Sequence, residues 1–89
     1  MRAFVTVIGK DHVGIIANVS GLFAEKGVNI LDISQTILQE YFTMIMLVDT
    51  AGCTESFTDL AESLKVKGET MGVSIRIQRE DIFEAMHRI

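Results

Sequence analysis

Cysteine, proline and long apolar runs are scarce in this 89-residue sequence. The single cysteine, Cys53, cannot form an internal disulfide, which is typical of proteins in a reducing compartment. Proline is absent and 48% of the residues are hydrophobic, so we expect a globular chain rather than a disordered one. No apolar run approaches the roughly 20 residues of a membrane helix, and the sequence opens on a strand pattern without a leader. We therefore expect a cytoplasmic protein with no membrane partner.

Basic residues and metal-ligating residues are also few. Eight Lys and Arg stand against 12 Asp and Glu, a net charge of -4, whereas nucleic-acid binding draws its affinity from clustered basic residues. We expect no nucleic-acid partner. Two distant histidines, His12 and His87, with one cysteine supply neither a structural zinc site nor a nucleophile beside its base. The sequence therefore predicts no metal, no cofactor and no enzymatic activity.

Apolar periodicity divides most of the chain into six elements. Strand patterns cover residues 3–8, 29–38, 41–48 and 73–78, and helical patterns cover residues 15–26 and the stretch from an N-cap at Thr54 to Met71. The order β-α-β-β-α-β with right-handed crossovers predicts an α+β, ferredoxin-like fold: a four-stranded antiparallel sheet with two helices on one face. The first and third strands lie inside. The third is the most apolar, and we expect both of its faces to be covered.

The last nine residues follow the pattern of a short amphipathic helix. Its apolar face consists of Ile82, Phe83, Met86 and Ile89. A helix of this length does not persist alone, so it must dock on another surface. Only one face of the sheet packs on the two long helices, and its other face stays apolar until this extension or a second subunit covers it. We divide the chain into a domain of residues 1–80 and a helical extension of residues 81–89.

The turn between the first strand and the first helix is the candidate site. The first N–H groups of a helix lack intrahelical partners and lie at the positive end of its dipole, which favours anions. Asp11 adds a carboxylate, and Gly14 removes a side chain from the first helical turn. Because Asp is also a preferred N-cap, spacing alone leaves open whether these residues bind a ligand or only shape the turn. A P-loop is excluded, since Ile15 follows the second glycine where that motif needs lysine.

Other functions of the same topology fit the sequence poorly. RNA-recognition domains need basic surroundings near aromatic residues on the first and third strands, and here only the aromatic residues, Phe4 and Phe42, are present. An acylphosphatase would need an arginine in the first loop, where Lys10 is the only cation. The C-x-x-C motif of ferredoxin-like metal chaperones is missing.

Two short motifs show that the chain resembles the ACT domain family. Residues 11–15 read Asp-His-Val-Gly-Ile, similar to the family's Asp-x-Pro-Gly turn with valine in place of proline. Residues 27–30 read Gly-Val-Asn-Ile, which matches the family's entry into the second strand. The resemblance covers residues 2–79. The ligand-binding residues that it implies are Asp11, His12, Val13, Gly14, Ile15, Asn29 and Ile30.

The resemblance implies a regulatory domain that binds an amino acid or a similar small metabolite between the two chains of a homodimer. Backbone N–H groups near Gly14 would bind the ligand's carboxylate, and side-chain oxygens of Asp11 and Asn29 its ammonium group. Pairing of two second strands would bring Asn29 of one copy to the first loop of the other. The regulated protein would then be a separate partner. The alternative is an interaction module that dimerises without a ligand.

Overall fold

Four strands and three helices follow one another in the computed structural model, which describes residues 1–86. In chain order they are β1 (Arg2–Lys10), α1 (Ile15–Lys26), β2 (Asn29–Leu38), β3 (Tyr41–Asp49), α2 (Phe57–Met71), β4 (Val73–Arg79) and α3 (Glu80–Met86). The strands form one antiparallel sheet in the order β2-β3-β1-β4. The predicted ferredoxin-like fold is confirmed, with β1 and β3 inside and β2 and β4 at the edges.

The hydrophobic core lies between one face of the sheet and the helices α1 and α2. Alternate residues of β1 and β3 point into it, and each of the two helices adds residues at a spacing of three and four positions. The fully buried side chains include Val5, Val7, Val19, Phe23, Met44, Met46, Leu60 and Leu64. Burying one such side chain contributes about 1.5–3 kcal/mol, so this core decides which face of each strand is inside.

Helix α2 begins later than the sequence predicts. Its N-cap is Ser56, whose Oγ accepts a hydrogen bond from the N–H of Asp59 at 3.1 Å. The prediction of Thr54 as the N-cap is therefore wrong. Between Thr54 and Ser56, Glu55 forms an ion pair with Lys26 at the end of α1, with 2.9 Å between Oε1 and Nζ. Hydrogen bonding to the Glu55 carboxylate raises the pKa of Lys26. This contact ties the start of α2 to the end of α1.

Strand β2 contains a bulge that changes which of its residues face the helix side. Its register with β3 shifts between Ile30 and Asp32, which leaves Leu31 as the extra residue. Gln35 then lies opposite a buried residue of β3, on the helix side of the sheet. Strict alternation from Ile30 would have turned Gln35 to the other face. Helix α1 covers only a small part of this strand, and residues 31–38 are all exposed.

The sheet face opposite α1 and α2, here called the open face, is partly covered by α3. The rings of Phe83 in α3 and Phe4 in β1 have centroids 4.6 Å apart. Glu80 pairs with Arg2, with 3.0 Å between Oε2 and Nη2. The C-terminal helix therefore docks on β1 and β4. Ile89, predicted on the same apolar face, lies outside the described residues, and the domain division at residue 80 stays a prediction.

The part of the open face formed by β3 is not covered. Tyr41 and Ile45 are 48% and 47% exposed. The prediction that both faces of β3 are covered is wrong for residues 1–86 of the single chain, because the described part of α3, Glu80–Met86, lies over β1 and β4. None of the helices within residues 1–86 has the length and apolar character that a membrane crossing requires.

Helix α2 approaches β4 closely at Gly68, and this contact gives a test of the packing. A Cβ atom at Gly68 would lie 2.6 Å from the carbonyl oxygen of Val73, whereas one at Gly21 in α1 would have no neighbour within 4 Å. We expect Gly68→Ala to lower the free energy of unfolding by about 1–3 kcal/mol through overpacking. Gly21→Ala should raise it by up to about 1 kcal/mol through helix propensity. Urea unfolding followed by circular dichroism measures both, and stabilisation by both substitutions would contradict the close packing.

Candidate functional site

Two hydrogen bonds hold the loop between β1 and α1 in place. The N–H of Asp11 donates to the carbonyl of Glu40 at 2.7 Å, which ties the loop to the turn between β2 and β3. On the other side, Nε2 of His12 lies 2.9 Å from the carbonyl oxygen of Met71 at the end of α2. The side chain of His12, predicted to contact the ligand, therefore links the loop to α2.

Gly14 immediately precedes helix α1. This residue is the N-cap, in the left-handed region with φ 96°, and no side chain caps the helix. The alternative that Asp11 is the N-cap is wrong. The first helical hydrogen bond runs from the N–H of Asn18 to the carbonyl of Gly14 at 2.9 Å, and the Asn18 amide donates to the same oxygen at 2.8 Å. The N–H groups of residues 15–17 are thus left without intrahelical partners.

A cleft of about 220 Å³ opens at this start of α1. It brings together four of the residues that the sequence predicts for the site. The lining residues are Asp11, His12, Gly14, Ile15, Ile16, Ala17, Gln35 and Phe42. Val13, also predicted, does not line the cleft, and its side chain is 100% exposed.

Asn29 and Ile30, the other two predicted residues, lie at the opposite end of β2. Asn29 is opposite Asp49, the last residue of β3, whereas the cleft lies near the beginning of β3. Asn29 and Gln35 are six positions apart, about 20 Å at the rise of a strand. A single chain therefore does not bring Asn29 to the cleft.

Four residues of the cleft were not predicted: Ile16, Ala17, Gln35 and Phe42. Phe42 is buried and forms the apolar floor, and Gln35 offers an amide donor and an acceptor. The side of the sheet on which Gln35 lies could have been predicted from the short turn between β2 and β3. Counting back from that turn, where Leu38 is opposite Tyr41, places Gln35 on the helix side. Counting forward from Ile30 places Gln35 on the open face instead, because the bulge at Leu31 shifts the alternation.

The cleft combines a positive end with a negative side chain. The dipole and free N–H groups of α1 favour an anion. The Asp11 carboxylate makes no ion pair or hydrogen bond with any other group in residues 1–86. The arrangement suits a small molecule that carries both charges. At about 220 Å³ the cleft is smaller than the 300–1,000 Å³ typical of small-molecule sites.

Comparisons with known proteins agree with this fold. The βαββαβ order with one four-stranded antiparallel sheet defines a class of small domains. Residues 2–78 match the ACT domain family, and the chain belongs to that family.

Three relatives illustrate the match. A UPF0237 protein from Clostridium acetobutylicum is 58% identical over 89 residues, which cover 100% of both chains. The solved structure of an ACT domain protein from Streptococcus pneumoniae superposes with a TM-score of 0.84 at 50% identity, over 98% of both chains. A formyltetrahydrofolate deformylase from Pseudomonas syringae superposes with a TM-score of 0.77 at 26% identity, over 88% of this chain and 27% of the deformylase. The fold therefore also occurs as one segment of a larger enzyme.

The left-handed start of α1 yields a test of the loop geometry. We expect Gly14→Ala to lower the free energy of unfolding by about 1–2 kcal/mol, because φ 96° strains any residue with a Cβ atom. Val13→Ala is the matched control and should stay within about 0.5 kcal/mol, since that side chain is fully exposed. Chemical denaturation compares the two. Equal effects would show that α1 starts in another conformation.

Proposed function

We propose that this ACT domain is a regulatory module that binds a free amino acid, or a similar small metabolite, in the cleft at the start of α1. The observation that supports the proposal is that N–H groups of α1 without intrahelical partners and the carboxylate of Asp11, unpaired within residues 1–86, lie in one cleft. An amino acid carries the complementary pair of charges. Its carboxylate accepts from the N–H groups of α1, and its ammonium group donates to Asp11. The amide of Gln35 is placed to bind either group.

A second copy of the chain completes the site. Strand β2 is a free edge, and it contains neither the proline nor the lysine that often protects such edges. Ile33 and Ile37 are exposed on its helix side, beyond the reach of α1 and α2. Antiparallel pairing of two β2 strands covers them and extends the sheet to eight strands. With the two-fold axis of this pairing between Ile33 and Ser34, Asn29 of one copy lies opposite Leu38 of the other copy, near the cleft of that other copy.

The response to the ligand passes to a separate protein partner. In the Pseudomonas syringae deformylase the same fold makes up 27% of a larger chain. The Clostridium acetobutylicum relative, in contrast, matches this chain from end to end. A ligand that stabilises the paired sheet changes the population of dimer, and a partner that recognises the dimer senses that change. We propose no catalytic role for the chain.

The competing function is an interaction module that dimerises without a ligand. One observation favours it: β2 exposes apolar side chains along its whole length, which is reason enough for pairing. Binding of an amino acid decides between the two functions, because only the regulatory module needs the charges of the cleft.

The first test is a thermal-shift screen of the purified protein against the standard amino acids. A ligand at about 100 times its dissociation constant adds about 2.7 kcal/mol to stability. Each kcal/mol moves the midpoint of a domain of this size by about 4–8 °C, so one amino acid should produce a shift of about 10 °C or more.

We expect Asp11→Asn and Asn29→Ala to abolish that shift. Neither should move the unliganded midpoint much, because both side chains are exposed.

The matched control for Asp11→Asn is Glu62→Gln, which removes one exposed carboxylate from α2, far from the cleft. It should keep the full shift. The proposal fails if no amino acid shifts the wild type, or if Asp11→Asn responds as the wild type does.

The second test concerns pairing of β2. We expect Ile33→Lys to halve the mass measured by light scattering at tens of micromolar, because a buried lysine at the strand edge opposes pairing. The ligand-dependent shift should fall with it, since Asn29 of the second copy is lost from the site. Val66→Lys on α2 is the control: Val66 is 50% exposed and Ile33 42%. An unchanged mass for Ile33→Lys would show that β2 is not the pairing edge.

A further inference from the structure

A groove of about 750 Å³ runs between α2 and β4, at the opposite edge of the sheet from β2. Residues 73–77 of β4 line one side of it, and the other side consists of Ala61, Lys65, Gly68, Glu69 and Gly72. Successive side chains of a strand point to opposite faces of the sheet. A groove that is lined by every residue from 73 to 77 therefore opens along the edge of β4 and not on one face alone.

The edge of β4 is unpaired in residues 1–86. This strand pairs with β1 on one side only. An edge strand leaves the N–H and C=O groups of alternate residues without partners in the sheet. Helix α3 follows β4 directly but contacts β1 as well, through Phe83 on Phe4, so it lies over the open face and not beside the edge. One wall of the groove is thus a row of free backbone groups.

The other wall of the groove has little side-chain bulk. Ala61, Gly68 and Gly72 contribute no atoms beyond a methyl group. At Gly68 the helix lies so close to the strand that an added Cβ would be 2.6 Å from the carbonyl oxygen of Val73, whereas a Cβ at Gly72 would have no neighbour within 4 Å. The groove therefore has room for the side chains of an extended segment that pairs with β4.

The charged side chains of the groove are mainly positive. Lys65 and Arg76 are exposed and make no ion pair within residues 1–86, and Glu69 is the only carboxylate among the lining residues. Two cations and one carboxylate leave a net charge of +1 on a chain whose net charge is -4. The next cation along β4, Arg79, is already paired with Asp81 at 2.7 Å. This edge accordingly favours an acidic occupant.

A second copy of β4 does not suit this edge. Full antiparallel pairing of Val73–Arg79 with itself sets its central residue, Arg76, opposite Arg76 of the other copy. Like charges directly opposite each other destabilise a strand pair. In β2 the only charged residue is Asp32, which lies opposite Gln35 in the pairing proposed above. The β2 edge is thus compatible with its own copy, and the β4 edge with a different chain.

We propose that the groove along β4 is the docking site for an extended acidic segment of a different protein, which adds to the sheet as a fifth strand. Its backbone pairs with the free N–H and C=O groups of β4. Lys65 approaches it from the helix side, and Arg76, which pairs in register with Thr6, from the open face. Acidic residues on both faces of the segment are therefore matched. That this protein receives the ligand signal rests on the proposed function, but the docking site does not.

Fluorescence anisotropy with defined peptides tests the docking site. The probe is a labelled seven-residue peptide of alternating glutamate and valine, equal in length to β4. We expect saturable binding to the full chain that weakens as salt is added, because the charges are exposed. The same peptide with lysine in place of glutamate should not bind. Absence of saturable binding of the glutamate peptide up to about millimolar protein would overturn the proposal.

Charge reversal locates the binding. Lys65→Glu and Arg76→Glu should each weaken the affinity for the glutamate peptide by about three- to tenfold. Lys67→Glu is the matched control, because Lys67 is on the same helix, makes no ion pair within residues 1–86 and lines a different groove with Leu22. It should leave the affinity unchanged. An equal loss from Lys67→Glu would show attraction by overall charge and would overturn the site. Circular dichroism checks folding, and if Arg76→Glu does not fold, the exposed Lys65→Glu decides.

Hydrogen exchange followed by NMR tests strand addition itself. Without peptide, alternate N–H groups of Val73–Arg79 should exchange fast, because they face solvent at the sheet edge. With the glutamate peptide bound, those N–H groups should become protected. Binding without this protection would mean that the peptide only contacts the cations, and the added strand would be wrong. Protection of all these groups without peptide would show that a second copy already occupies β4, which would also overturn the proposal.

These measurements separate the docking site from the proposed function, because none of them uses an amino acid. A thermal shift through the cleft without peptide binding at β4 would leave the regulatory module standing and overturn the docking site. Peptide binding at β4 without any amino-acid shift would support the docking site and overturn the ligand-binding function.

Discussion

Burial of one face of β1 and β3 against α1 and α2 is the interaction on which the rest of this structure depends. The strand period of two commits Val5, Val7, Met44 and Met46 to that side and therefore their neighbours to the other. Two consequences follow. The open face keeps apolar residues that no long helix covers, and β2 extends beyond the helix layer with its edge free. Two surfaces available for assembly are therefore ones that the core does not bury, the open face and the edge of β2.

The same core positions the cleft. Ile15, the first residue of α1, is buried in it, and the N-cap position before Ile15 has a left-handed backbone that suits Gly14. The preceding loop is held from two sides, by the turn between β2 and β3 and by the end of α2. The free N–H groups of α1 consequently open toward Asp11 and Gln35 in a fixed arrangement. In the proposed site these backbone donors recognise charge, and a second copy adds specificity.

Binding and assembly are coupled in the proposed arrangement. The cleft of one chain is small and lacks Asn29, which only β2 pairing would supply. A ligand that contacts both copies therefore stabilises the pair, and pairing raises the affinity for the ligand by the same factor. Regulation in such a protein is a shift in assembly rather than a change within the fold.

The sequence by itself determined the elements and their order. Strand and helix periods are local, so six elements, the buried stripe of α1 and the interior strands could be predicted from them. The loop from Asp11 to Ile15 was predicted from its motif and from the chemistry of helix starts. Tertiary structure decided the remainder. The bulge at Leu31 puts Gln35 in the cleft, and a carbonyl at the end of α2 lies within hydrogen-bond distance of His12. The described part of α3 lies over β1 and β4, which leaves Tyr41 exposed. Each of these depends on register or on contacts between distant segments, which a local pattern of residues does not encode.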